Sequence, residues 1–427
     1  MTNLKNRWFQ LFLCVVVFII ISGPQYQWAL FVKPLLTKHN SQLSQLQIVF
    51  SLVVVCMTFI TPLAGYFNDR FNSKIIIGIG LLMSSTSWIL ASYASNLFAL
   101  YLSYGIIGGL GAGIAFIGCT GLVQKNFPDK RGLSTGILMS GYALGPLLFT
   151  YSIANKVNTN GVDSTLHYFG IILFALSIPT LLLINDPHHQ SKKTNEKNIL
   201  KGVSTITMLK SKTFWLMFFM MSMIATCGMM ITSNISIVAS EHGIGNEIIA
   251  FGMAALPLAL LLDRITNGLS RIVFGMLSDK IGRELTLGIA FFLEGLFMFI
   301  WYHNLHHPLL FILLSGLVFL AWGEIFSIFP ALCTDTFGEK NASVNFGFLY
   351  ASVGIGSILG GPIAALIREF VGSWDYVFYI IISLDFITAF LAFFLLRKSK
   401  EKFKSKTQGE SNEELDIQDI GSLASST

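Results

Sequence analysis

Charge is what this chain has least of. Asp, Glu, Lys and Arg make up 12% of its 427 residues and 53% are hydrophobic, whereas a soluble domain carries about a quarter charged residues. The scarcity excludes an ordinary soluble globular protein, and the net charge of +5 is no nucleic-acid signal. Cysteine is sparse too. Cys14, Cys56, Cys119, Cys227 and Cys333 all fall in apolar stretches with no CxxC pair, so no disulfide framework is implied. His188-His189 and His303, His306 and His307 lack carboxylate or thiol company and read as solvated loop, so no metal site is expected. No nucleophile–base pair is visible either, so the chain does not read as an enzyme, and no cofactor is expected.

What the chain has instead is long apolar runs. About 20 apolar residues span a bilayer, and twelve windows of that kind lie at roughly 8–32, 46–66, 75–95, 98–124, 133–154, 166–185, 213–238, 250–276, 285–303, 309–332, 344–367 and 374–396. The run Phe9 to Ile21 has the length of a signal peptide but no small-residue cleavage site, and similar helices follow it, so it reads as the first span. With the N-terminus inside, only Lys33, Lys38, Lys156 and Arg368 fall on outer loops or helix ends. Arg264 and Arg271 fall within the membrane, and all other Lys and Arg are cytoplasmic. The positive-inside rule therefore sets both termini in the cytoplasm. Short loops and no targeting segment suit a bacterial inner membrane.

The charged punctuation repeats. Gly65-Tyr-Phe-Asn-Asp69-Arg70 returns as Gly275-Met-Leu-Ser-Asp279-Lys280, and Phe127-Pro-Asp129-Lys130 returns at the same spacing as Phe337-Gly-Glu339-Lys340. Gly145-Pro146 is echoed by Gly361-Pro362 at nearly that spacing. The fold expected is an all-α membrane protein of twelve transmembrane helices in two pseudo-repeated six-helix bundles, residues 1–185 and 213–396. Residues 186–212, rich in Lys, Asn, Ser and Thr, read as a cytoplasmic linker with a short surface helix at its end, and 397–427 as a disordered cytoplasmic tail. The fourth window, GIIGGLGAGIAFIG, is dense in glycine and predicts close helix crossings. No Walker lysine–serine pair follows it, and no cytoplasmic stretch is long enough for an ATPase domain. The energy source must then be a solute or ion gradient.

Paired GxxxD(R/K) loops after the second and eighth helices resemble the signature of the major facilitator superfamily. The resemblance covers nearly the whole chain and implies a rocking carrier, monomeric by family default. It makes Gly65, Asp69, Arg70, Gly275, Asp279, Lys280 and Arg283 cytoplasmic gating residues, the glycines for close helix approach and the charges for latching the two halves. The N-terminal copy departs from the pattern at Asn72 and Ser73.

The eighth window raises the sharpest question, because LLLDRITNGLSRIVFGMLSDKIGR (Leu260 to Arg283) buries charge in lipid. A charge there costs several kcal/mol and must face a cavity or a partner. Arg264 and Arg271 are seven positions apart, so they share a helix face at about 10 Å along the axis. Asn267 and Gly268 lie between them, and Gly268 opens room beside the helix. Asp263 projects about 100° away from Arg264. Guanidinium matches a carboxylate with a planar fork, which makes arginine a natural anion anchor. The alternative for Arg264 is pairing with an acid on another helix.

DRITNGLSRIVFGMLSDKIGRE, WGEIFSIFP (Trp322 to Pro330), NFGFLYASVG (Asn345 to Gly354) and GPQYQWALFVKPL in the first helix resemble the oxalate:formate antiporter family, which is related to the monocarboxylate transporters. The resemblance implies that Arg271, four residues after the polar Asn267, binds a substrate carboxylate. That family has a lysine where this chain has Val353. One cation suits a monocarboxylate and leaves a dianion poorly compensated. Lys33 can replace the missing charge by reaching inward, or snorkel outward; Arg264 can replace it if no acid holds it.

Glu324, level with Arg271, can pair with an arginine or carry a proton, and Asp263 is the second candidate for coupling. Glu294 and Asp385, in peripheral helices, read as structural pairs. Tyr26 and Tyr350 can complete a carboxylate cage or belong to an aromatic belt. The function expected is secondary transport of a small organic anion, a monocarboxylate, by proton symport or anion exchange across the lipid bilayer. Oxalate:formate exchange is the alternative, and a non-transporting membrane sensor the reading from another class.

Overall fold

The computed structural model describes residues 6–127, 131–185, 202–244, 248–250, 253–338 and 342–405. Eleven helices are long and apolar enough to cross a membrane: Arg7–Tyr26, Leu43–Asn68, Ser73–Ser92, Leu97–Val123, Ser134–Asn160, Val162–Leu183, Lys212–Glu241, Arg283–Tyr302, Pro308–Phe337, Val344–Val371 and Asp375–Ser405. A further helix, Ala255–Ile281, has the length but carries Asp263, Arg264, Arg271, Asp279 and Lys280. Counted with the others in chain order, it is the eighth of twelve spans. It starts later than its apolar window because Pro257 would break a helix reaching back to residue 250. In the first turn the missing N–H is harmless, and two short antiparallel strands, Ile248–Ala250 and Met253–Ala254, precede it.

The spans form two six-helix bundles, the architecture that the repeated charges predict. Within the first, the third and fourth spans approach closely through glycine. A Cβ on Gly111 would stand 2.5 Å from the Ser84 amide nitrogen, and one on Gly109 would stand 2.4 Å from the Val53 carbonyl oxygen of the second span. Between the bundles, the second span packs on the eleventh, the fifth on the eighth, and the continuation of the first on the seventh. Buried hydrogen bonds cross this boundary, from Ser51 Oγ to the Ser357 carbonyl (2.7 Å) and from Gln47 Nε2 to the Ser233 carbonyl (2.8 Å).

Several spans are broken at mid-depth. The first stops at Tyr26, turns at Gln27 (φ −103°, ψ −3°) and resumes as Trp28–His39, with Pro24 removing one rung of its ladder. The fifth breaks at Gly145-Pro146 and the tenth at Gly323-Glu324. The eleventh widens into a π-turn over Leu359–Ile363, at the matching Gly361-Pro362. Broken helices at this depth are where carriers place binding groups.

Two expectations change. The twelfth helix runs on to Ser405, past Arg397 where a disordered tail was expected. Lys400 pairs with Glu284 at 2.5 Å, Arg397 with Glu401 at 2.9 Å, and Thr213 donates to the Ser399 carbonyl. Gly65 and Gly275 do not mediate helix approach, since a Cβ on either would meet nothing within 4 Å. Of the linker, residues 186–201 lie outside the described residues, as do 406–427 of the tail. The linker's end does carry a short helix, Thr205–Leu209, tied to the eleventh span by Thr205 Oγ1 donating to Asn345 Oδ1 (2.8 Å).

Candidate functional site

The eighth span brings Asp263, Arg264, Asn267 and Arg271 to the boundary between the bundles, and all four are buried, Arg264 at 1% and Arg271 at 6% exposure. Among the described residues neither arginine has a carboxylate within ion-pair distance. Aromatic faces hold them instead. The Arg264 guanidinium carbon lies 4.1 Å from the Tyr26 ring centre and 4.4 Å from that of Phe319, and the Arg271 carbon lies 4.7 Å from that of Phe326. Desolvated cation–π contacts are worth about 2 kcal/mol or more.

The donors of Arg271 are partly used. Nη1 donates to the Met139 carbonyl of the fifth span (3.0 Å) and Nη2 to Asn267 Oδ1 (3.1 Å). Arg271 Nε, Arg264 Nε and Arg264 Nη1 have no partner. Both acceptors on Arg271 are neutral, so an anion can displace them for a charge-assisted bond.

The break in the first span supplies the opposite wall. Tyr26 stands edge-on to Tyr142 at 5.5 Å, and the Tyr142 hydroxyl donates to Gln25 Oε1 (2.9 Å). Tyr350 is buried and stacked on Phe116 at 5.7 Å, and it also contacts Phe326 and Phe346. Both tyrosines therefore line the interior and are not part of a surface belt. Gly268 does not open free space, because the Leu144 side chain of the fifth span occupies its notch, 2.7 Å from where a Cβ would sit.

This geometry meets a family match along nearly the whole chain. Residues 11–267 and 258–425 match the Major Facilitator Superfamily. The chain belongs to that superfamily. Among its relatives, the oxalate:formate antiporter of Oxalobacter formigenes is 29% identical over 400 residues, covering 92% of each chain. Monocarboxylate transporter 10 of Danio rerio is 24% identical over 341 residues, 78% of this chain and 65% of that one. The structure of the nucleoside transporter NupG superposes with a TM-score of 0.71 at 15% identity, covering 91% of this chain and 99% of that one; it bears on the fold alone. The chain is thus a multi-pass membrane protein of a transporter superfamily.

Other residues singled out in this major facilitator chain fall elsewhere. Lys33 is exposed at the end of the bundle away from the chain termini and donates to Ser240 Oγ (3.2 Å). Its side chain is engaged there, not at the arginines. Glu324 is buried but pairs with no arginine. Its charged neighbours are Asp385 and Glu294 of its own bundle, not the arginines. Asp263 is buried with neither oxygen hydrogen-bonded, the Ser315 hydroxyl alongside. In the gating loop, Arg283 pairs with Asp279 at 2.6 Å and Asp335 at 3.5 Å and donates to Ser278. This part of the latch joins the eighth and tenth spans of one bundle and does not bridge the two halves. Lys280 is exposed beside it. The side chains of Asp69 and Arg70 lie outside the described residues.

Sequence reading missed Phe319, Phe326 and Tyr142. A signal existed for the first two, since their seven-residue spacing matches that of Arg264 and Arg271 on the neighbouring helix.

Proposed function

We propose that this protein is a secondary transporter of a small organic monocarboxylate, working by proton symport or anion exchange through alternating access of its two halves. The observation that carries this is a pair of buried arginines without an acid partner, one with a displaceable donor fork. Arg271 anchors the carboxylate, Tyr26 and Tyr350 shape the cage, and Asn267 and the Met139 carbonyl hold the fork in place. With Asp263 ionised, the three charged groups of the eighth span within the membrane leave one net positive charge, which a monoanion cancels. Relatives named for oxalate, formate and monocarboxylate carriage support a carboxylate substrate. The distribution of Lys and Arg supports both termini inside, and a bacterial inner membrane is the location proposed.

One observation favours a second reading. Arg264 has no acid within ion-pair distance, so a proton on Asp263 leaves two net charges, enough for oxalate in exchange for formate despite Val353. Uptake of labelled acids into proteoliposomes, with and without a pH gradient and in competition with acetate, lactate, formate and oxalate, separates the two. Competition led by the monocarboxylates is the expected result. Competition by oxalate above the rest selects the second reading, and uptake of no acid overturns both.

A further inference from the structure

A second buried charge cluster lies on the other side of the tenth span. Cys227 Sγ of the seventh span and carboxylate oxygens of Glu294 (ninth) and Asp385 (twelfth) lie within 4.8 Å of one another. Glu324 of the tenth is an electrostatic neighbour of Glu294 and Asp385, and all four side chains are fully buried. The charged neighbours of Glu294, Asp385 and Glu324 are one another. No lysine, arginine or histidine is among them. The Cys227 thiol is turned to the backbone carbonyls of Met223 (3.3 Å) and Ile381 (3.5 Å). Among the described residues no oxygen of Glu294, Glu324 or Asp385 has a well-formed hydrogen bond, the Cys227 thiol lying alongside Asp385.

Two carboxylates within 4.8 Å of each other, with a third acting on both, cannot all stay ionised in a low-dielectric interior. Helix packing alone does not explain them, because an unpaired charge at this depth is costly and apolar residues would pack as well. Something positive and small has to enter. The site is sealed on every side by helices, which favours a species that travels along hydrogen bonds over a hydrated metal ion.

The tenth span ties this cluster to the arginine site. Its broken turn carries Glu324 on one side of the helix, while Phe319 and Phe326 floor the arginines on the other. Gly323 lies so close to the eighth span that a Cβ would stand 2.7 Å from the Asn267 carbonyl oxygen. Trp322 Nε1 donates to the Ile224 carbonyl (3.1 Å), one turn from Cys227. A shift of this turn when an anion reorders Arg271 and Asn267 moves Glu324 relative to Glu294 and Asp385.

We propose that Glu294, Asp385 and Glu324 form a buried proton-binding site, separate from the substrate arginines and linked to them through the Trp322-Gly323-Glu324 turn. It holds at least two protons in the substrate-free protein and exchanges one during the transport cycle. The second half of that statement rests on the transport reading above; the first does not.

The test uses the full-length purified protein. Infrared spectra at neutral pH should show the carbonyl band of protonated carboxyl groups, diminished in Glu294→Gln, Asp385→Asn and Glu324→Gln. In proteoliposomes, the ratio of uptake with a pH gradient to uptake without one should fall about tenfold in Glu294→Gln and in Asp385→Asn, as expected for loss of an intramembrane proton carrier. Absence of the band in the wild type overturns the proposal. So does a stoichiometric bound metal that is lost in Cys227→Ser, since the occupant is then a metal ion. An unchanged uptake ratio with the band present overturns the link to transport. If the wild type moves no acid at all, the transport reading fails while the spectra still decide the proton site.

Discussion

The two buried charge clusters on opposite sides of the tenth span solve the same problem in opposite ways. Arg264 and Arg271 lie on aromatic faces, which a planar, weakly hydrated guanidinium accepts as partial solvent. They can stay charged while they wait for an anion. Glu294, Glu324 and Asp385 have no such support, because a carboxylate has no face that a ring attracts. The acids are tolerable only when neutralised. On the two proposals above, one region would take an anion and the other a proton, so together they would accept a carboxylic acid in two pieces. The tenth span belongs to both regions.

Removing the anion side should have the largest effect. Arg271→Ala is expected to abolish carboxylate uptake, and Arg271→Lys, which keeps charge but loses the fork, to weaken binding about tenfold, as read by competition with labelled substrate. Full activity in Arg271→Ala would transfer the anchor to Arg264.

Severing the two regions comes next. A Cβ at position 323 would meet Ser270 Oγ at 1.9 Å, and overpacking of this kind costs about 1–3 kcal/mol. Gly323→Ala should therefore lower the thermal unfolding midpoint and the uptake rate, with partial recovery in the double variant Gly323→Ala/Ser270→Ala. A stable, fully active Gly323→Ala would show that the turn is not a tight joint.

Smaller effects sharpen the contrast. Val353 is buried one helical turn from Tyr350 on the same face. Val353→Lys adds a third cation and should shift the ratio of oxalate to monocarboxylate competition about tenfold towards oxalate, within the range of one buried charge pair. Asp279→Asn should do least. Arg283 keeps Asp335 when Asp279 is lost, so a two- to threefold slower uptake at nearly constant affinity is expected, since an exposed pair is worth about 1 kcal/mol or less.

The arginine site was largely legible in the sequence, because both arginines and Asn267 lie on one helix whose 3.6-residue period places them on one face. The spans and the repeat were legible for a related reason: hydropathy and charged loops are local. The acid cluster was not. Its members come from four helices far apart in the chain, and only their packing shows that Glu294 and Asp385 have each other for company and no base. Of the two readings of Glu324, pairing with an arginine is absent from the structure and the proton role stays a proposal; its depth follows from sequence but the direction of its helix face does not. The break at Gln27, which presents Tyr26, is marked by Pro24 alone, and a single proline inside a span often only bends it.

The eighth span also has a consequence for how the protein is made. On the scale set by membrane insertion, each Asp, Arg or Lys at a helix centre costs about 2.5–3.5 kcal/mol. Ala255–Ile281 carries three such residues near its middle, so as a single helix it would favour water over lipid. It can enter the bilayer only in company, held until the tenth span arrives with Phe319 and Phe326. The residues that recognise the cargo would thus also set the order of assembly, and the last turns of synthesis that commit this helix to the membrane are those that build its aromatic floor.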